Sequence, residues 1–221
     1  MPDTQAIRID FISDVVCPWC IIGYKQLERA VALTGSKADI HVDLHWHPFE
    51  LNPTMAPEGE NLREHLAAKY GTTPAGSKKA RERLTRLGAQ LGFTFDYADD
   101  MRMVNTFRAH QLIHWAGTEG RAHDMKMALF AAFFTHRQDL NDPKVLADCA
   151  AQIRLDRREA SDVLKDGRFA QSVRGAETMW LRQGIQGVPA IVFEQRYLLT
   201  GAQGVETYSA ALERIIEQRA A

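Results

Sequence analysis

The segment Cys17-Pro18-Trp19-Cys20 carries the residues of this chain best suited to chemistry. Cysteines at i and i+3 on a helix share one face about a turn apart, close enough for their sulfurs to bridge. With Cys17 at a helix N-terminus, the unpaired N–H groups and the helix dipole favour a negative charge on its sulfur. The thiolate is the form that attacks a disulfide. Cys20, one turn further in, is screened and better placed to resolve a mixed disulfide than to start one. Trp19 between them offers apolar surface to a protein or peptide substrate.

Two other readings of the pair stand beside redox chemistry. A structural zinc site needs four ligands, usually two such pairs. The only further thiol is Cys149, and no pair of histidines follows at finger spacing. His110 and His114 are four apart, but no glutamate completes a metalloprotease pattern. The third reading is two inert core cysteines. Three cysteines are too few, and odd in number, for a disulfide framework.

A second feature lies far downstream, where Gly187-Val188-Pro189-Ala190 leads into a strand. Proline is allowed at a strand entry, and an X-Pro bond is the kind that turns cis at low cost. A cis Val188–Pro189 bond would turn the Val188 backbone outward to pair with an extended substrate. A trans proline would merely begin the strand.

The elements that must position these groups follow from periodicity. Ile7–Ile12 alternates and is rich in β-branched residues, which predicts a strand. A helix is expected from Pro18 to Leu33, with proline in the first turn and Gly35 as the stop. Ile40–His47 is a second strand, its apolar side chains on one face and His41, Asp43, His45 and His47 on the other. This makes a βαβ unit, which Pro48 and Pro53 close. From Glu58 to Gly184 the pattern predicts helix almost throughout, broken by a loop at Gly71–Gly76, with Asp142-Pro143 as a helix start. Strand character returns at Ala190–Phe193 and Tyr197–Leu199, close enough for a hairpin, before a last amphipathic helix from Val205 to Gln218. The fold class is therefore α/β: β-α-β, a long helical block, then β-β-α. Residues 1–57 and 185–221 would make one domain and 58–184 an inserted helical domain.

Composition narrows the function classes. Hydrophobic residues make up 45% and charged residues 25%, as in ordinary globular proteins. A net charge of -1 supplies no overall field toward nucleic acid or an anionic membrane. No apolar run approaches the ~20 residues of a membrane-spanning helix. The opening Met1-Pro2-Asp3-Thr4-Gln5 has neither the basic nor the apolar region of a secretory signal. A cytoplasmic protein is expected, with no nucleic-acid or membrane partner.

The Cys-Pro-x-Cys at the first helix, the helical block and the late Val-Pro before a hairpin resemble the DsbA-like branch of the thioredoxin superfamily. Trp46–Pro53, Asn105–His110 and Gly201-Ala202-Gln203 are similar to its cytoplasmic FrnE-type members. The resemblance implies a thioredoxin fold with a helical insertion and dithiol–disulfide exchange. It makes Cys17 the nucleophile, Cys20 the resolving thiol and Pro189 a cis-proline beside them. Pro18, Trp19 and Val188 would meet substrate, and Asn105 and Thr106 would lie near the cleft. No tightly bound cofactor and no metal is implied; glutathione or another thiol would serve as redox partner. The substrates would be disulfide- or thiol-containing proteins or peptides, and the protein a monomer or homodimer. Trp19 stands where DsbA itself has histidine, which removes one stabiliser of the thiolate.

The remaining candidates read more plainly. Cys149 lies on an inward helical stripe, as a buried free cysteine does. The histidine row on the second strand reads as hydrated or covered rather than as a metal ladder. Phe133-Phe134 and Trp115 are core residues that could border the cleft. A glutathione-dependent isomerase or transferase of the 2-hydroxychromene-2-carboxylate isomerase or kappa type shares the outline, but such enzymes carry serine at the helix start. A non-catalytic peptide-binding module would have no evident use for two cysteines.

Overall fold

A computed structural model describes residues 6–36 and 40–220; the opening Met1–Gln5 segment lies outside them. β1 (Ile7–Ser13), α1 (Pro18–Gly35) and β2 (Val42–Pro48) form the expected βαβ unit. β1 and β2 pair in parallel, from Ile7 opposite Val42 to Ser13 opposite Pro48. Pro48 ends β2 as its last residue, as the sequence led us to expect. β2 is an edge of the sheet, where a missing N–H costs no ladder bond.

The chain then leaves the sheet. β3 (Glu60–Asn61), α2 (Leu62–Tyr70), α3 (Pro74–Gln90), β4 (Arg102–Met103), α4 (Phe107–Thr118), α5 (Ala122–Phe134), α6 (Pro143–Gln152), α7 (Arg157–Asp166) and α8 (Ala170–Arg182) follow. Two departures from the expected helical block appear. The loop between α2 and α3 shrinks to three residues, because Thr73 caps α3 through Gly76 N at 3.1 Å and Pro74 takes the first helical position. Residues 91–106 are not helical: Gly92 has φ +75°, and residues 93–98 form no regular secondary structure. β3 and β4 pair antiparallel over two residues only, too short to leave any periodicity. Gly88 lets the chain at Phe93–Phe95 lie directly on α3, since a Cβ there would stand 2.6 Å from the Phe95 ring and 2.7 Å from the Phe93 carbonyl.

β5 (Ala190–Phe193) and β6 (Tyr197–Thr200) return as the expected hairpin, and α9 (Val205–Ala220) closes the chain. The sheet order is β2-β1-β5-β6, with β5 antiparallel to β1. Ile7, Ile9 and Phe11 of β1 enter the large core, together with apolar side chains of α1, α4, α5 and α9. On the opposite face Ile12 meets Trp180 of α8, Ile185, Ala190 and Val192. Asp10, also buried, accepts from Arg8 at 2.8 Å and pairs with His47 at 2.7 Å. His47 packs edge-on against Trp180, and His45 pairs with Asp43 at 2.6 Å. Among the described residues no cluster of His, Cys, Asp and Glu could hold a metal ion, and no helix is long and apolar enough to cross a membrane. Cys149 is buried in α6, and burial pushes its thiol up to about 11.

Candidate active site

Beyond β1 the chain turns through Asp14, Val15 and Val16, and Cys17 N donates to Asp14 O at 3.2 Å. Cys17 is the extended residue before α1, with Pro18 in the first turn. No side chain caps this helix start and no acid lies in its first turn. The positive end of the helix is therefore left to the Cys17 sulfur. Both cysteines are free thiols; Cys17 is 4% exposed and Cys20 is fully buried. Burial, then the hydrogen bond and charge of Cys17, push the Cys20 thiol well above its ordinary value. The two sulfurs thus differ in access and in environment.

The Val188–Pro189 bond is cis, and Cys17 Sγ lies 3.7 Å from the Val188 carbonyl oxygen, to which it donates. Pro189 O accepts from Gly201 N at 2.7 Å, which ties the loop to the segment after β6. A Cβ on Gly23 would stand 3.3 Å from Pro189 Cγ and 3.5 Å from the Tyr208 hydroxyl. Glycine at this position lets the second turn of α1 lie directly on Pro189.

Beneath the cysteines lies a buried charged group that the sequence did not single out. Lys126 of α5 is almost completely buried and donates to Ser13 O at 3.2 Å. Burial holds its ammonium down to about 8, against the pull of Cys20, Asp14 and Cys17. Asp14 is fully buried as well, and burial alone would raise it. His110, 3.4 Å away, and the Leu51 N–H at 2.8 Å outweigh burial together with Lys126, so its carboxyl sits below the usual range. A carboxylate and an ammonium are therefore both held behind Cys20.

On its other side Cys17 meets a cavity of about 430 Å³ between the start of α1 and helices α2 and α3. Pro18, Trp19, Val188, Phe133 and Phe134 line it, whereas Trp115 does not. Arg83 of α3 stacks over the Trp19 ring at 5.4 Å. Tyr97, Thr72 and Ser77, none of them singled out in the sequence, also line the cavity. The alternating Phe93-Thr94-Phe95-Asp96-Tyr97 stretch was the legible sign of a non-helical segment: Tyr97 lines the cavity, and Phe93 and Phe95 pack against Phe134.

Asn105 and Thr106 are not among the residues lining this cavity. Thr106 is buried as the N-cap of α4, and Asn105 Oδ1 accepts from Phe107 N at 2.9 Å. Asn105 Nδ2 reaches Glu50 at 3.4 Å. Arg174 of α8 bridges Glu50 at 2.5 Å and Glu177 at 2.9 Å, and lies 3.8 Å over the Phe107 ring. Burial and the neighbouring Glu177 push Glu50 up to about 7, even with Arg174 beside it. The folded protein thus keeps a proton that the unfolded chain gives up near 4.5. This group's contribution to stability is complete below pH 4.5 and is lost as pH rises through about 7. Denaturant unfolding from pH 4 to 8 is expected to show that decline, and Glu50→Gln to flatten it.

Known proteins share this architecture. A solved structure of a probable DsbA oxidoreductase, SCO1869, from Streptomyces coelicolor is 29% identical, with a TM-score of 0.88, covering 94% of this chain and 89% of its own. The fold recurs in the cytosolic disulfide reductase DsbM from Pseudomonas aeruginosa, solved with GSH (17% identity, TM-score 0.62, covering 95% and 99%). It recurs also in a 2-hydroxychromene-2-carboxylate isomerase (14% identity, TM-score 0.68, covering 96% and 98%). The family of DSBA-like thioredoxin domains matches residues 8–213. With its sheet order, its helical block and a match over nearly its full length, the chain belongs to the DSBA-like thioredoxin domain family.

Proposed function

We propose that this protein is a thiol–disulfide oxidoreductase working through the Cys17–Cys20 dithiol. The observation that carries the proposal is the asymmetry of the pair: Cys17 at an uncapped helix start beside a cavity, Cys20 sealed behind it. In the reducing direction the Cys17 thiolate attacks a substrate sulfur, the substrate S–S bond breaks and one half leaves as a thiol. Cys20, deprotonated, then attacks Cys17 Sγ and displaces the second half. The substrate gains two electrons and two protons, and the protein is left as the Cys17–Cys20 disulfide. Oxidation is the same sequence reversed.

The Val188 carbonyl beside Cys17 is positioned to hold an extended segment flanking the substrate sulfur. Two equivalents of an external thiol such as glutathione would restore the dithiol, in a cytoplasmic setting and with no bound cofactor. Substrates are disulfide- or thiol-bearing molecules.

Equilibration in graded glutathione buffers, with alkylation read by mass, tests the proposal. A reversible two-electron transition confined to Cys17 and Cys20 is expected, with Cys149 alkylated only after unfolding. If no Cys17–Cys20 disulfide forms in any buffer, the redox proposal fails and a glutathione-using isomerase takes its place.

A further inference from the structure

The surroundings of Cys17 carry information about what reaches it. A disulfide on the surface of a folded protein would have to enter between α1, α2 and α3 to meet this sulfur, and Cys17 is only 4% exposed. A cavity of about 430 Å³ is instead of the size that encloses a small ligand. Leu62, Leu66, Leu84 and Phe133 give it an apolar lining, which calls for an apolar body.

Three groups interrupt that lining. The hydroxyls of Thr72, Ser77 and Tyr97 are buried and find no hydrogen-bond partner among the described residues. Buried hydroxyls ordinarily are paired, and these three, enclosed on residues that line one cavity, each leave a donor to be satisfied by an acceptor from outside once a ligand shifts the side chains over it. Burial and the charge of Cys17 both keep the Tyr97 phenol in its neutral, donating form. Arg63 and Arg81, also lining the cavity, share a single exposed carboxylate, Asp99, at 3.0 and 3.4 Å. Lys69 is held by neutral oxygens, Leu51 O at 2.7 Å and Asn52 Oδ1 at 2.6 Å. The lining therefore has more positive than negative charge.

We propose that the substrate of this site is a small disulfide that joins an apolar, aromatic-sized body to a carboxylate. The body fills the cavity, the carboxylate meets the three hydroxyls and the arginines, and a sulfur lies against Cys17. The inference rests on the dithiol chemistry proposed above and narrows its substrate. Cys17 thiolate forms a bond to one ligand sulfur, and the ligand S–S bond breaks to release one thiol. Cys20 then displaces the other half, so the ligand is reduced to two thiols and the dithiol is oxidised to the disulfide.

Stopped-flow reaction of the reduced protein with dithiobis(nitrobenzoate), neutral dithiodipyridine and insulin tests this, each rate divided by that of N-acetylcysteine with the same probe. Saturation with dithiobis(nitrobenzoate) is expected, with a normalised preference of about tenfold or more over the other two, the scale of a charged hydrogen bond. Ser77→Ala and Tyr97→Phe should each cut that preference several-fold, and Arg63→Gln should make it less sensitive to salt. Thermal melts identify any variant that fails to fold, and the comparison of probes on the unaltered protein does not depend on the variants.

A linear, unsaturating reaction without preference overturns the inference, as does a normalised rate with insulin equal to that with the aromatic acid. The glutathione titration separates the causes of failure. A reversible Cys17–Cys20 transition without the preference removes only the substrate class, whereas no transition removes the dithiol chemistry itself.

Discussion

Replacing Cys20 with serine is expected to stop the reaction at a covalent adduct, one substrate half per chain, that is stable until reductant is added. Cys17 keeps its place at the uncapped start of α1 in this variant, so the first attack proceeds. What is lost is the only thiol seated behind it, since Cys149 is buried in α6. Cys17→Ser is expected to show no adduct and no turnover above the uncatalysed exchange, because a serine hydroxyl is not ionised at working pH and does not attack disulfides. Intact mass spectrometry after incubation with a disulfide probe reads both results. An adduct on Cys17→Ser, or full turnover by Cys20→Ser, would assign the chemistry to another residue.

The second large effect is expected at Lys126. For Cys20 to attack the mixed disulfide, its proton must leave a site where burial holds it on. Lys126 is the buried amine beside it, held down by burial to about 8, so that as pH rises toward that value a growing fraction is the free amine able to take up the proton. Lys126→Met keeps the volume and removes the acceptor. Resolution of the mixed disulfide is expected to slow by about 10²-fold, the lower range for a positioned acid or base. Its rate, which in the native protein should rise with pH toward a plateau above about 8, should keep rising to higher pH in the variant.

Removing the ammonium alone leaves the buried Asp14 carboxylate with one positive neighbour fewer and takes the donor from Ser13 O, so the variant is expected to melt at a lower temperature. A lower melting temperature with an unchanged pH profile would make Lys126 a structural residue only. An unmoved resolution rate would exclude it from the chemistry.

The parts of the site that sequence made legible are those whose chemistry is local. Cys17 and Cys20 are one helical turn apart, and Val188-Pro189 is a dipeptide at a strand entry, so spacing alone raised the questions that the cis bond and the 3.7 Å contact answer. The βαβ start and the closing hairpin were legible for the same reason, each being a short run with its own period.

Lys126 and Asp14 act through a proximity that no spacing encodes, because α5 brings one beneath the end of the strand that leads to the other. A lysine in line with Phe130 and Phe133 on an apolar helix was the sign of its burial. Thr72, Ser77 and Tyr97 come from two loops and the start of α3, and only their unpaired hydroxyls in the folded chain bring them to notice. Residues 91–106 misled the helical reading because Leu84, Leu87 and Leu91 keep a helical stripe up to the glycine that ends it.

The order of strands also sets a timetable for the chain as it is made. β1 lies in the middle of the sheet, yet its second neighbour, β5, starts only at Ala190. At ~5–20 residues per second, ribosomal synthesis leaves that edge of β1 without its partner for roughly ten to forty seconds. Over the same interval the Cys-Pro-Trp-Cys turn exists without Val188 and Pro189. The nascent chain therefore carries an open strand edge and two thiols outside their finished setting, and chaperones that shield such edges would have their largest effect before the last thirty or so residues emerge.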